Sequence, residues 1–227
     1  MLENYARTEQ YNNRAIKQKI NEPGTKPLKI GATKTIGGYV IKDLIMEIGR
    51  AQDYALTVVV DNTQRLLHMI DHSELDFALI EGSFEKQKYG YKLMRNEPYH
   101  GVCSSNHPFA GRKVSMKEMF GETMIIREAG SGTRAIFEHI LRSKNFTLND
   151  FEHKVCLNDF RLIEECVMNN IGITFAYESL TKHNARLENF EITDHKVERE
   201  FNYVYLKNSR ADELVDSISK MYGNEDR

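Results

Sequence analysis

Three short runs rich in apolar and β-branched residues, Leu28-Lys29-Ile30-Gly31-Ala32, Leu56-Thr57-Val58-Val59-Val60 and Leu75-Asp76-Phe77-Ala78-Leu79-Ile80, alternate with stretches whose apolar residues recur at helical spacing. After Thr33-Lys34-Thr35, the residues Ile36, Val40, Ile41, Leu44, Ile45 and Ile48 fall on one helical face; after Asp61-Asn62-Thr63, so do Leu66, Leu67 and Ile70. The order strand, helix, strand, helix, strand leaves one economical solution. The strands run parallel, the helices cross over right-handedly, and the polar turns collect at the carboxyl ends of the strands.

The middle of the chain repeats the pattern. Tyr99 to Cys103 reads as a strand, Ser115-Met116-Lys117-Glu118 has the spacing of a capping box, and Met124 to Ile126 is a strand feeding a glycine-rich turn and a helix to about Ser143. Val155-Cys156-Leu157 is a further strand, Asn158 or Asp159 starts a helix with Leu162, Ile163, Cys166 and Val167, and Ile171 to Ala176 is a buried strand. The tail adds a strand, Phe201 to Leu206, and an amphipathic helix with Leu214, Val215, Ile218 and Met221. Because the first half is short of strands, the tail is expected to return to it. The fold class is therefore α/β, with two Rossmann-like subdomains joined by two crossing strands: 28–96 with 199–227, and 97–198. Ahead of them, residues 2–20 are polar and helix-compatible, with Leu2, Tyr5, Ala6, Ile16 and Ile20 on a thin stripe, and Asn21 to Pro27 reads as a linker.

The strand–turn–helix run from Ile125 through Arg127-Glu128-Ala129-Gly130-Ser131-Gly132-Thr133-Arg134 to Phe137 carries the chemistry. The first N–H groups of a helix and the Ser131 and Thr133 hydroxyls suit an anion, Gly130 and Gly132 allow close backbone approach, and Arg127 and Arg134 offer positive charge. A capped helix start without a ligand fits the same residues. A matching set stands in the first half, Thr33, Lys34 and Thr35 with Asn62 and Thr63, and Asn158 joins the second. Together these hydroxyls, amides and helix starts suit a small polar ligand, preferably anionic, in a cleft between two halves.

Other chemistries find little support. The glycine turn lacks the lysine of a Walker-type phosphate loop, no Gly-x-Ser-x-Gly elbow occurs, and no cysteine–histidine arrangement marks a nucleophile, so no enzyme and no cofactor are expected. His68 and His72 stand four apart without the glutamate that usually accompanies such a metal pair, and Cys103, Cys156 and Cys166 lack zinc spacing. No apolar run approaches the roughly 18–20 residues of a membrane span, and the first residues lack a secretory pattern, so no membrane contact and a cytoplasmic location are expected. A net charge of −2 argues against DNA gripped by this chain alone.

Five stretches taken in order resemble the effector-binding domain of LysR-type transcriptional regulators: Leu28 to Tyr39, Leu75 to Gly82, Ser105-Asn106-His107-Pro108-Phe109, Arg127 to Arg134, and Gly172-Ile173-Thr174. The resemblance spans about Leu28 to Tyr222, and residues before Leu28 are similar to the end of that family's linker helix. It implies a fold like type 2 periplasmic binding proteins, with an effector held by Thr33, Lys34, Thr35, Asn62, Thr63, Ser131, Gly132, Thr133 and a position near Thr174. It further implies a homodimer or homotetramer, with side-by-side antiparallel dimers using the helices Ile36 to Ile48 and Asp159 to Asn169. DNA would be reached only through a winged helix-turn-helix that these residues do not include. A free-standing solute-binding protein of the same architecture is the alternative, and a small dehydratase-like enzyme a more distant one.

Overall fold

The computed structural model describes residues 25–182, 184–193 and 196–222. The helix expected over 2–20 lies outside them, as do residues 21–24 of the expected linker. The described residues divide into two compact units, one within 25–94 and 202–222, the other within 95–201.

In the first unit, β1 (Lys26–Thr33) pairs in parallel with β2 (Tyr54–Asp61) in register from Lys26↔Tyr54 to Thr33↔Asp61, and with β3 (Phe77–Glu81) through Ile30↔Phe77 and Ala32↔Leu79. The strand thus starts two residues before Leu28, inside the expected linker. Crossovers α1 (Lys34–Tyr39), α2 (Ile41–Ala51) and α3 (Thr63–Asp71) supply Ile36, Leu44, Ile48, Leu66 and Ile70 to a core with Leu28, Ile30 and Phe77 to Ile80. Helices covering a parallel sheet account for its apolar strands. Gly31 is required by that packing: a Cβ there would lie 2.7 Å from Leu75 and 2.9 Å from Leu66. The single helix expected over Ile36 to Ile48 is broken at Val40. Gly37 and Gly38, poor helix formers, precede the break, and Val60 packs so near Gly37 that a Cβ would meet it at 2.7 Å. The long strand β4 (Tyr89–Ser104) and the later β10 (Val197–Leu206) each run from one unit into the other, and α7 (Ala211–Tyr222) packs on α2.

In the second unit, β4 pairs antiparallel with β8 (Thr174–Tyr177) and β9 (Leu187–Ile192), and β9 pairs in parallel with the two-residue β5 (Lys113–Val114). The capping box of Ser115 and Glu118 opens the short α4 (Met116–Met119). Next, β6 (Thr123–Arg127) pairs in parallel with β7 (His153–Leu157), with α5 (Gly132–Ser143) between them and α6 (Phe160–Met168) after. An aromatic core joins these layers: Phe137 stacks on Phe175 at 4.2 Å, and Phe190 meets Phe175 edge-on at 5.6 Å. Short 3-10 turns cover Leu148–Asp150 and Glu178–Leu180. No described helix is long and apolar enough to cross a membrane.

Candidate functional site

In the first unit the parallel register brings the carboxyl ends of β1, β2 and β3 to one edge, where Thr33, Asp61 and Glu81 close their strands. Thr33 is the N-cap residue of α1, yet its hydroxyl caps nothing; Oγ1 is buried and has no hydrogen-bond partner among the described residues. Lys34 is exposed. Thr35 donates its hydroxyl to Glu81 Oε1 at 2.8 Å, an interaction buried with both residues. Glu81 is only 8% exposed and is followed by Gly82 at φ 91°, which turns the chain away from the sheet. Asn62 caps α3, its Oδ1 accepting from Arg65 N at 2.9 Å, and Thr63 is that helix's first residue. Asp61 pairs with Arg65 at 3.1 Å.

In the second unit the same design recurs where β6 ends. Gly130, at φ 87°, completes the turn, and Ser131 is the N-cap residue of the twelve-residue α5 without a side-chain capping bond. Its Oγ lies 2.9 Å from Thr133 Oγ1, and both residues are buried. Tyr99 secures the turn by donating its hydroxyl to the Thr133 carbonyl at 2.7 Å. Thr174 donates to the Ile125 carbonyl at 2.7 Å, so its proton is spent on holding β8 to β6. Asn158 is exposed just after β7, and the cap of α6 is its neighbour Asp159, whose Oδ1 accepts from Arg161 N at 2.9 Å and Leu162 N at 3.2 Å.

The two arginines of the turn are engaged within the protein. Arg127 is buried, lies 4.2 Å over the Phe160 ring and pairs with both oxygens of Glu128, at 2.7 and 3.0 Å. Arg134 pairs with Glu138 at 2.8 Å and donates to the Arg127 carbonyl at 3.1 Å. Positive character at this turn therefore comes from the α5 N-terminus and not from a free guanidinium. His68 and His72 are bound to each other's surroundings: His72 Nδ1 sits 2.8 Å from the His68 carbonyl, with ring centroids 4.0 Å apart. Among the described residues no group of three metal-ligating side chains occurs. A concavity of 690 Å³ in the second unit, lined by Glu178, Thr181, Lys182, Glu188 and their neighbours, includes none of the residues selected from the sequence. Glu81 is the residue that sequence reasoning passed over. A carboxylate ending the buried run Leu75 to Ile80 was its signal.

Parallel strands whose ends present uncapped or hydroxyl-bearing helix starts, in two units threaded by β4 and β10, give a fold like that of periplasmic binding proteins. Residues 21–222 match the LysR substrate binding domain, and the chain belongs to that family. It is 23% identical over 201 residues to the HTH-type transcriptional regulator CysL of Bacillus subtilis, an alignment covering 85% of this chain and 66% of CysL. Its fold is similar to that of a Corynebacterium glutamicum OxyR mutant (TM-score 0.74, 18% identity, 95% of this chain and 68% of the other). It is also similar to the Synechocystis PCC6803 CcmR regulatory domain in complex with 2-PG (TM-score 0.74, 18% identity, 88% of this chain and 98% of the other). The relatives are transcriptional regulators, a non-enzymatic family, and the chain spans about two thirds of CysL's length.

Proposed function

We propose that the chain senses a small anionic effector for a LysR-type transcriptional regulator. The effector engages the first unit at Thr33, Lys34, Thr35, Asn62 and Thr63 and the second at Gly130, Ser131, Gly132, Thr133 and Asn158, while Thr174 holds the second set in place. The observation that carries this reading is the start of α5, where a left-handed Gly130 leads into a helix N-terminus left without a side-chain cap. Such a terminus favours negative charge by its dipole and its N–H groups. The CcmR regulatory domain in complex with 2-PG supports the same reading by analogy.

An effector that binds one arrangement of the two units better than another biases that arrangement by the difference in affinity. Homodimers or homotetramers pass the bias to DNA through a winged helix-turn-helix carried by the whole regulator. Calorimetry with sulfate, phosphate and small mono- and dicarboxylates tests the site, with Thr33→Val and Ser131→Ala compared against the parent. Each variant is expected to weaken binding by about tenfold, the worth of one hydrogen bond to a charged ligand. Affinities unchanged in both variants refute the site. Sedimentation velocity with and without the bound anion tests the transmission, which fails if the oligomer distribution is indifferent to saturating anion.

A further inference from the structure

We infer that Glu81 makes this site select anions that also carry a hydrogen-bond donor, a hydroxyl or an ammonium group, over anions that do not. The inference rests on the effector reading above and adds the chemical class of the effector. It begins from an apparent conflict. A pocket edge proposed to take an anion holds a carboxylate of its own, 8% exposed, at the end of β3. A second carboxylate brought beside it would be repelled, more strongly the drier the surroundings. A donor group would be attracted.

The neighbouring groups fit the same ligand. Thr35 donates to Glu81 Oε1 at 2.8 Å, which fixes the carboxylate's orientation and presents it as an acceptor. At the same sheet edge the Thr33 hydroxyl, in a residue 3% exposed, has no partner among the described residues and does not cap α1. A buried hydroxyl without a partner is costly, and a ligand hydroxyl or ammonium that completes it recovers that cost on binding. A hydroxyl gives one hydrogen to Glu81 and accepts from Thr33; an ammonium gives to both. The anionic end of such a ligand is what the effector reading itself supplies. The effector class is then a hydroxy acid or an amino acid, and plain carboxylates, sulfate and phosphate are weaker ligands.

Two matched series separate these chemistries: propionate, lactate and alanine, and succinate, malate and aspartate. Calorimetry on the parent chain is expected to rank lactate or alanine about tenfold to a hundredfold above propionate, with the same order in the diacids. The arm that gains identifies hydroxyl or ammonium. Glu81→Gln keeps the side chain's shape and exchanges one carboxylate oxygen for an amide donor. It should reduce the preference for the ammonium members by about tenfold and leave propionate and succinate unchanged or tighter. Propionate and succinate binding as tightly as their substituted partners overturns the inference, as does a Glu81→Gln loss equal across each series. Binding of sulfate or phosphate without any organic preference overturns it while sparing the effector reading. Silence from every probe removes both. Should Glu81→Gln fail to fold, the ranking on the parent chain decides alone.

Discussion

Thr33→Val is predicted to make the ligand-free chain more stable and its ligand binding weaker. Oγ1 of Thr33 is a buried atom without a partner in a residue only 3% exposed. Such a hydroxyl forfeits about 1–3 kcal/mol of hydration with no bond in return. Valine has the same shape, its added methyl contributes about 0.8 kcal/mol on burial, and the backbone at φ −64°, ψ 159° is extended and suits a β-branched residue. No capping bond is lost, since the threonine side chain makes none. The sum is a gain of about 2 kcal/mol, which in a chain of this length raises Tm by about 4–8 °C. Urea titration of the dialysed, ligand-free protein should show a higher midpoint with an unchanged slope, so that the gain reflects stability and not a change in compactness. A valine variant less stable than the parent by about 1 kcal/mol or more would mean that the hydroxyl is bonded in solution, and the reasoning from its isolation would fail.

Other expectations follow from the same geometry. In Gly172→Ala the new Cβ would lie 2.1 Å from the Thr123 carbonyl, which accepts the Ile173 N–H at 2.9 Å, so the β6–β8 contact must open at a cost of about 3 kcal/mol, read from the urea midpoint. Thr174→Val removes the 2.7 Å bond to the Ile125 carbonyl and should cost about 1 kcal/mol of stability, read from the urea midpoint. Burial, with the Glu188 and Glu122 carboxylates adding to it, pushes the Cys103 thiol up to about 12, whereas Cys156 is exposed and Cys166 half-buried. A disulfide reagent at about pH 8 should label the latter two in the native chain and Cys103 only after denaturation, as counted by mass spectrometry. Bonds from the Ser115 hydroxyl and backbone N–H hold the Glu118 carboxyl below its usual 4.5. The native state then gives up this proton more readily than the unfolded chain. Its contribution to stability is complete above the unfolded value and lost as pH falls through the folded one. Urea midpoints of Glu118→Gln against the parent should converge on the acid side of that window.

The order of strands and helices was legible because the inner parallel strands are largely buried and apolar, the edge strand β2 is rich in β-branched residues, and each crossover helix buries one stripe. Leu28 to Ala32 and Met124 to Ile126 announce themselves by their apolar runs, and Leu56 to Val60 by its β-branched residues. The first half of β4 does not, since Lys92, Leu93, Arg95 and Asn96 alternate between partial exposure and solvent. Such a strand is held by its neighbours and not by its own pattern. β9 buries Leu187, Phe190 and Ile192 at irregular intervals and was missed likewise. The glycine pair ahead of Val40 was visible, but its effect depends on how closely Val60 packs, a tertiary fact. At the candidate site, residue types at the strand ends were readable, and their partners were not. That Asn62 caps α3, that Thr174 bonds Ile125 and that Arg127 lies on Phe160 depend on contacts distant in sequence or on side-chain choice.

Those partners divide the polar residues of the two edges by what each still has to offer. Asn62 Oδ1, the Thr35 and Thr174 hydroxyl protons and both arginines of the Gly130 turn are committed to the protein, and their replacement acts first on stability. The Thr33 hydroxyl, by contrast, has no partner among the described residues, and the Ser131 side chain does not cap α5. A chain under pressure for stability alone gains by a valine at the first position and by turning the Ser131 hydroxyl onto the helix N–H groups at the second. Both features are costs to the empty protein that a bound molecule would offset. Such an offset favours binding, and it becomes sensing where two states of the protein recover the cost unequally, because a ligand shifts a balance only by its difference in affinity for them.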